Sequence, residues 1–282
     1  MTFLDCGGRK LDLSRPAVMG ILNVTPDSFS DGGVFLSREN AIAHARRMAE
    51  EGADIIDVGG ESTRPGAQPV SAQEEMDRVI PVIEALRGKI SLPISIDTSK
   101  PEVMRAAVAA GAGFINDVRA LRDEGALEAA ASLHVPVCLM HMQGEPRGMQ
   151  ENPRYRDVVA DIGDFLRARL QAAQAAGIPA QRLMIDPGFG FGKTLEHNLE
   201  LLRGLRKLQS LGAPILAGLS RKSLIGQALG LPVEGRLYAS VALALMAVQN
   251  GARLVRVHDV GPTVEALRMW QAVYPGEANR QD

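Results

Sequence analysis

Short apolar runs recur along the chain, and each is apolar at nearly every position rather than at every second one. A strand that is covered on both faces shows this continuous pattern, whereas a strand with one wet face alternates. The runs therefore predict buried parallel strands. They are Ala17–Val24, Ala53–Val58, Pro93–Ile96, Phe114–Val118, Pro136–Met140, Arg182–Ile185, Pro214–Leu219 and Arg253–Val257.

The segments between these runs carry apolar residues three or four positions apart, the period of a helix with one buried face. Ile42–Ala49 and Leu202–Leu211 are two such helices. Ser71–Glu74 and Ser99–Glu102 each have the capping-box pattern of a helix start, and Pro101 suits the first turn. Glycines follow several helices, where a left-handed C-cap belongs: Gly52, Gly111, Gly177, Gly212 and Gly251.

Each predicted strand is followed by one helix, and the composition shows no break in the middle of the chain. Eight such units favour a closed (β/α)₈ TIM barrel over a doubly wound sheet, which usually has five or six strands. We therefore predict an α/β fold with a single domain over residues 1–282 and the barrel over about 17–274. Residues 3–13, with Gly7 and Gly8 at the centre, predict a short N-terminal β-hairpin.

Composition narrows the functional class. The 282 residues carry a net charge of −2 without a basic run, so a nucleic-acid or membrane-surface binder is not expected. No apolar stretch approaches the roughly 18 residues of a membrane span. Cys6 and Cys138 have no metal-ligand spacing, which suits a reducing cytosol. We expect a cytoplasmic protein with small-molecule partners.

Polar residues stand where the predicted strands end, although barrel strands need apolar side chains along most of their length. Any one of them could instead cap a helix or form a turn. Together they predict an active site at the carboxyl end of the barrel. They are Asn23, Asp57, Asp97, Asn116, Asp117, His141, Asp186, Arg221, Lys222, Arg256, His258 and Asp259.

These polar residues carry both signs of charge, which indicates a substrate with two halves. Asp97, Asn116 and Asp186 suit the edge of a polar heterocycle, whereas Lys222, Arg256 and His258 suit a phosphate or pyrophosphate. His258 could equally be a general base or a core imidazole. The connections Pro26–Ser37 and Glu61–Ala72 are long and rich in turn residues, so we expect lids beside the site.

The glycine-rich segment Asp186–Thr194 is not a phosphate-binding loop, because Pro187 and Lys193 stand where the two known patterns require glycine. These glycines more simply shape a turn or let backbone approach a flat ligand. The histidines have no zinc-ligand spacing. A Mg²⁺ ion held by Asn23 and substrate phosphate remains compatible with the chain, since Mg²⁺ often takes few protein ligands.

Several long motifs resemble dihydropteroate synthase of the folate pathway. The resemblance runs in order from Val18 to about Trp270 and includes all the strand ends. The motifs are Met19–Gly33, Asp57–Gly66, Ile96–Pro101, Asn116-Asp117, Met140–Met142, Asp186–Lys193, Gly218–Ser223 and Arg256–Asp259. The resemblance implies condensation of 6-hydroxymethyl-7,8-dihydropterin diphosphate with p-aminobenzoate, which yields dihydropteroate and pyrophosphate.

The resemblance also implies roles for individual residues. The pterin set is Asp97, Asn116, Met140, Asp186, Lys222 and Arg256. The diphosphate set is Asn23, Thr63, Arg256 and His258, with Asn23 as the Mg²⁺ ligand. The p-aminobenzoate set is Phe29, Thr63, Arg64, Pro65, Lys222 and Ser223. The residues implied to take part in the chemistry are Asp97, Lys222, Arg256 and His258.

Other functions remain open at this point. A methyltetrahydrofolate-dependent methyltransferase barrel would share Asp97, Asn116 and Asp186 but would need no diphosphate site. A Schiff-base aldolase would use Lys222 as nucleophile, although the adjacent Arg221 fits anion binding better. A pterin-binding protein without catalysis is a third alternative. The segment Ser240–Val248 is apolar nearly all round, as expected either for a homodimer contact or for a helix under a loop.

Overall fold

The computed structural model describes residues 3–25, 33–62, 68–144 and 148–275. Its strands are β1 (Phe3–Cys6), β2 (Arg9–Asp12), β3 (Ala17–Asn23), β4 (Ile55–Gly59), β5 (Ile94–Asp97), β6 (Phe114–Asp117), β7 (Val137–Met140), β8 (Leu183–Asp186), β9 (Ile215–Ala217) and β10 (Ala252–Val257). Its helices are α1 (Gly33–Glu50), α2 (Ala72–Arg87), α3 (Pro101–Ala110), α4 (Ala126–Leu133), α5 (Val158–Ala175), α6 (Leu195–Arg203), α7 (Ser223–Leu229), α8 (Leu237–Gln249) and α9 (Val260–Val273).

Strands β3 to β10 form a closed barrel in chain order, and β10 closes it by pairing with both β9 and β3. All pairs around the barrel are parallel, which confirms the predicted (β/α)₈ architecture. The predicted hairpin is also confirmed, since β1 and β2 pair antiparallel around Gly7 and Gly8. Both glycines have positive φ, as a tight hairpin turn requires.

Of the two predicted capping boxes, the structure shows only the serine half of the first and does not show the second. Ser71 accepts a hydrogen bond from the backbone of Glu74 at 3.1 Å and caps α2 as predicted. At α3 the cap position is Lys100, and the hydroxyl of Ser99 donates instead to the carboxylate of Asp117. Ser99 therefore acts as a donor to a buried carboxylate on the neighbouring strand rather than as an acceptor for the helix N–H groups, so the tertiary partner overrides the local motif.

The predicted helix over Leu202–Leu211 is broken. Helix α6 ends at Arg203, and Leu205–Leu211 is a 3₁₀ helix. The leucines at 202, 205, 208 and 211 are three residues apart, which is the period of a 3₁₀ helix rather than an α-helix. The predicted first lid, Pro26–Ser37, is also too long, because α1 already begins at Gly33.

The hairpin closes the end of the barrel where the strands begin. Leu4, Cys6, Leu11 and Leu13 form one buried cluster with side chains from the first residues of the strands, such as Phe114. Gly113 lies directly beneath this hairpin, and a Cβ there would stand 2.1 Å from the carbonyl oxygen of Cys6. The amino end of the barrel is therefore filled by apolar side chains, and the carboxyl end is the one left for polar groups.

No single helix in the described part of the chain has both the length and the apolar character needed to cross a membrane. The pair Ser223–Leu229 and Val233–Gln249 meets the length and composition test only when the two helices are taken together across a 92° bend.

The buried hairpin makes a prediction about stability. Leu11 is fully buried, so Leu11→Ala should lower the free energy of unfolding by about 2–5 kcal/mol. Phe3 on the same hairpin is 49% exposed, and Phe3→Ala should cost less than about 1 kcal/mol. Urea denaturation of both variants measures the difference. Equal losses would mean that the hairpin does not close the barrel.

Candidate active site

Strand register brings the predicted site residues to one end of the barrel. Asn23 is the partner of Gly59, Gly59 of Asp97, and Asp97 of Asn116, across three successive strand pairs. On the other side, Met140 at the end of β7 is the partner of Asp186 at the end of β8. The carboxyl ends of neighbouring strands therefore place these polar groups around a single rim.

A buried ion cluster spans this rim. Arg256 donates from Nε to Asp57 Oδ2 at 2.6 Å and from Nη2 to Asp97 Oδ2 at 2.8 Å. Asn116 donates to the same Asp57 oxygen at 3.0 Å. Asp57 is fully buried, whereas the side chains of Asp97 and Arg256 keep 10% and 20% exposure. Asp57 thus supports the cluster from below, and the other two face the mouth of the barrel.

The cluster changes the acidity of its members. Burial raises the pKa of Asp97 to about 7, although the positive charge of Arg256 opposes the shift. Burial alone would lower the pKa of Arg256, but Asp57 and Asp97 outweigh it and raise that pKa. Arg256 is therefore charged at neutral pH. Because the pKa of Asp97 is raised to about 7, its carboxyl group can gain or lose a proton near neutral pH.

A second pair of oppositely charged groups lies at the end of β8 and just after β9. Burial raises the pKa of Asp186, with Lys222 opposing, and lowers the pKa of Lys222 to about 8, with Asp186 opposing. Asp186 accepts from the backbone N–H of Gly188 at 2.7 Å. Lys222 donates to the carbonyl of Phe189, and its Nζ lies 4.6 Å from the centre of the Phe191 ring. Both charged groups are held by the same glycine-rich segment.

Glycines keep the middle of the site open. A Cβ on Gly218 would lie 3.8 Å from both Arg256 Cβ and Lys222 Nζ. A Cβ on Gly59 would lie 3.6 Å from Asn23 Oδ1 and 3.8 Å from Asp97 Oδ2. A side chain at either glycine would contact these polar groups and fill part of the space between them.

Two further predicted residues lie at the start of α7 and the end of β10. Ser223 is exposed and begins α7 directly after Lys222. His258 is tied to the buried Ser220, which accepts from the His258 backbone N–H at 3.1 Å and lies 3.1 Å from its Nδ1. This contact fixes the imidazole at the rim beside Arg256.

Not every polar strand end belongs to the site. Asp117 accepts from the backbone N–H groups of Arg119 and Leu121 at 2.8 and 2.6 Å, so it is the turn former that its residue type allows. Arg221 and Asp259 bind each other through two hydrogen bonds of 2.7 and 2.8 Å. Phe29, Thr63, Arg64 and Pro65 lie outside the residues that the structure describes.

Sequence reasoning missed the supporting residues of the site. Asp57 was grouped with the other polar strand ends, but its burial and its two partners make it the base of the ion cluster. Ser220 and Lys193 were not singled out as site residues, yet both hold site groups from below. Lys193 could have been recognised by its position, because it is the only lysine in the glycine-rich run that follows a predicted strand.

Comparison with known proteins agrees with this geometry. The family described as pterin binding enzyme matches residues 19–258. Dihydropteroate synthase of Escherichia coli (strain K12) is 53% identical over 274 residues, 97% of each chain. A solved structure of Xanthomonas albilineans dihydropteroate synthase with 4-aminobenzoic acid is 59% identical, with a TM-score of 0.92 over 97% of this chain and 98% of that chain.

The chain belongs to the dihydropteroate synthase family. A second Xanthomonas albilineans structure, in complex with 7,8-dihydropteroate, is 57% identical, with a TM-score of 0.89 over 96% of this chain and 98% of that chain. The match over nearly the whole of both chains confirms the resemblance drawn from the motifs. In this member of the dihydropteroate synthase family, those motifs supply the rim of the barrel.

The ion cluster makes a prediction that needs no substrate. Asp57→Asn keeps the shape of the side chain but leaves buried Arg256 with one carboxylate, so the free energy of unfolding should fall by roughly 3 kcal/mol. Asp164 forms an exposed ion pair with Arg167 at 2.5 Å, and Asp164→Ala should cost less than about 1 kcal/mol. Urea denaturation at pH 7 compares the two. A loss at Asp57 no larger than that at Asp164 would contradict the assigned role.

Proposed function

We propose that this chain carries out the reaction of its family. The amino group of p-aminobenzoate replaces the diphosphate of 6-hydroxymethyl-7,8-dihydropterin diphosphate, and the products are 7,8-dihydropteroate and pyrophosphate. The observation that carries the proposal is the rim itself, where carboxylates that suit a heterocycle and cations that suit a diphosphate face one opening.

The pterin ring is assigned to Asp97, Asn116, Asp186 and Lys222. An amino-pyrimidinone edge offers neighbouring N–H donors that the Asp186 carboxylate can accept, and Lys222 can donate to the ring carbonyl. Met140 and Arg256 are assigned to the two faces of the ring, since a thioether and a guanidinium both stack well on flat systems. Met140 is 3% exposed and is the strand partner of Asp186, which supports this position.

The diphosphate is assigned to Arg256 and His258, with Thr63 from the second lid. The Nε and Nη2 atoms of Arg256 are bound to Asp57 and Asp97, so Nη1 is the nitrogen left to face an anion. Ser220 orients the imidazole of His258. We assign His258 as an anion ligand because it is partly exposed just after β10, two residues beyond Arg256, rather than buried in the apolar core.

Asn23 is assigned as the protein ligand of Mg²⁺. Asn23 Oδ1 and Asp97 Oδ2 both face the space beside Gly59. Side-chain oxygens of this kind are suitable ligands for Mg²⁺. The described residues contain no cluster of three or more His, Cys, Asp or Glu that could hold a metal alone. An ion here would therefore depend on diphosphate oxygens and water, and when bound it would supply positive charge to the leaving group.

The p-aminobenzoate half is assigned to Phe29, Thr63, Arg64 and Pro65 of the lids, with Lys222 and Ser223. Gly60 and Glu61, where the second lid begins, are held by hydrogen bonds from α2 and from Lys100. Lys100 binds Glu61 and, at 2.6 Å, the buried Glu75. Arg78 donates to the carbonyl of Gly60 at 2.7 Å.

The chemistry needs no strong base. The bond between the pterin methylene carbon and the diphosphate oxygen breaks first, because an aniline nitrogen is a weak nucleophile. Positive charge then forms at the methylene carbon beside Asp97, whose carboxylate stabilises it, while Arg256 and His258 stabilise the departing anion. The nitrogen of p-aminobenzoate attacks the carbon and releases a proton, and no residue becomes covalently attached.

A direct assay tests the reaction. The purified chain, p-aminobenzoate, the pterin diphosphate and Mg²⁺ should yield equal amounts of pyrophosphate and dihydropteroate, and chelation of the metal should abolish both. Pterin binding without product would mean that the chain is a pterin-binding protein without catalysis. Methyl transfer from methyltetrahydrofolate to a corrinoid, or trapping of Lys222 by borohydride with a carbonyl substrate, would favour the methyltransferase or the aldolase.

The role of Asp97 makes a kinetic prediction. Asp97→Asn keeps the hydrogen-bonding shape but loses the negative charge, so kcat should fall by about 10²–10³ while KM for the pterin substrate rises less than tenfold. Steady-state kinetics at saturating p-aminobenzoate measures both constants. A rise in KM with kcat unchanged would instead mean that Asp97 only binds the ring.

We also propose a cytoplasmic homodimer whose contact includes α8. Tyr238 and Met246 on this helix are 85% and 47% exposed, and Leu229 on α7 is 60% exposed, so the region offers apolar surface to a second copy. Sedimentation velocity of the chain and of Tyr238→Lys tests this proposal, since the variant should sediment as a monomer. A native chain that is already monomeric would reject it.

A further inference from the structure

Lys193 belongs to the glycine-rich segment Asp186–Thr194, and its side chain folds back onto the backbone of that segment. It is 3% exposed, and a lysine so deeply buried is unusual unless its nitrogen is fully hydrogen-bonded. Its Nζ lies 2.7 Å from the carbonyl oxygen of Gly188, 3.0 Å from that of Phe191 and 3.0 Å from Nδ1 of His141. Two backbone carbonyls therefore accept from the Lys193 amino group, and the His141 ring nitrogen is its third polar neighbour.

The surroundings of Lys193 support this arrangement. Burial, with the nearby charge of Lys193, lowers the pKa of His141 to about 2, so its imidazole is neutral and its Nδ1 can accept a hydrogen bond. Burial also lowers the pKa of Lys193 well below its usual value, and the carboxylate of Asp186 opposes that shift. The lysine is therefore held by specific partners rather than by solvent.

The two carbonyls that Lys193 binds flank the groups that contact Lys222. Phe189 lies between Gly188 and Phe191 in the chain, and its carbonyl accepts from Lys222 instead. The ring of Phe191 stands 4.6 Å from Lys222 Nζ. Gly188 and Gly190 both have positive φ, and this allows successive carbonyls to point to opposite sides of the segment.

We propose that Lys193 is a positioning residue for Lys222. By binding the carbonyls of Gly188 and Phe191 from below, it turns the carbonyl of Phe189 and the ring of Phe191 toward the Lys222 ammonium group and fixes where that group stands. Its importance for catalysis rests on the proposed function, in which Lys222 binds the pterin ring. The placement of Lys222 itself does not depend on that function.

Nuclear magnetic resonance of the full chain, labelled with ¹³C at lysine Cε, tests the placement without any ligand. The Lys222 signal is identified by its loss in Lys222→Gln, and the nearby aromatic ring should shift its methylene protons. Lys193→Met, which keeps length but has no donor, should remove most of this shift. Lys193→Gln keeps two N–H donors and should give an intermediate value if the donors rather than the bulk matter.

Binding measurements then connect the placement to the substrate. In Lys193→Met the Kd for the pterin diphosphate should rise about tenfold, as expected for one weakened hydrogen bond to a charged group, while KM for p-aminobenzoate changes less than about twofold. Lys89→Met removes an exposed lysine as a control, and Leu11→Ala lowers stability at the other end of the barrel. Both controls should keep the native Lys222 signal and pterin affinity.

An unchanged Lys222 signal in Lys193→Met would overturn the proposal, whatever happens to activity. If Lys193→Met does not fold, an unchanged Lys222 signal in Lys193→Gln would overturn it equally. A shifted Lys222 signal with native pterin affinity would support the positioning role but would overturn the assignment of Lys222 to the pterin ring. The two failures are therefore distinguishable.

Discussion

The guanidinium of Arg256 is the group on which the rest of the site depends. It projects from β10 and binds carboxylates on β4 and β5, two strands that are not hydrogen-bonded to β10. Removing these charges from water costs several kcal/mol each, and their mutual attraction offsets the cost only in one good geometry. The strands around the mouth of the barrel are therefore held in the arrangement that keeps these charges together.

The same cluster gives two neighbouring carboxylates different tasks. Asp57 is fully buried and bound by both Arg256 and Asn116, so its charge is committed to holding the site together. Asp97 shares Arg256 with it and faces the opening, and burial raises its pKa to about 7. A carboxylate that is only partly neutralised retains the ability to stabilise a positive charge formed in front of it. Burial, not residue type, separates the supporting carboxylate from the one that faces the opening.

Sequence reasoning reached the barrel and its rim because both follow from patterns along the chain. Continuous apolar runs mark buried parallel strands, and the carboxyl ends of such strands must meet, so Asp97, Asn116 and Asp186 could be placed together in advance. It failed where a distant partner decides the outcome. Ser99 has a capping motif but binds Asp117. No pattern in the neighbouring sequence shows that Asp57, rather than Asp97, is the fully buried partner of Arg256. The roles of the lid residues stay predictions.

The glycine-rich segment after β8 shows how the direction of backbone groups decides what a loop can bind. A phosphate loop turns its N–H groups toward the ligand. Here the N–H groups of Gly188 and Gly190 are taken by the side chains of Asp186 and Asn198. The carbonyl oxygens of this segment are the groups left to bind a partner, and they accept hydrogen bonds from Lys193 and Lys222. This segment is therefore built to hold cations, so any anion that reaches it would be bound through Lys222 rather than through backbone N–H groups.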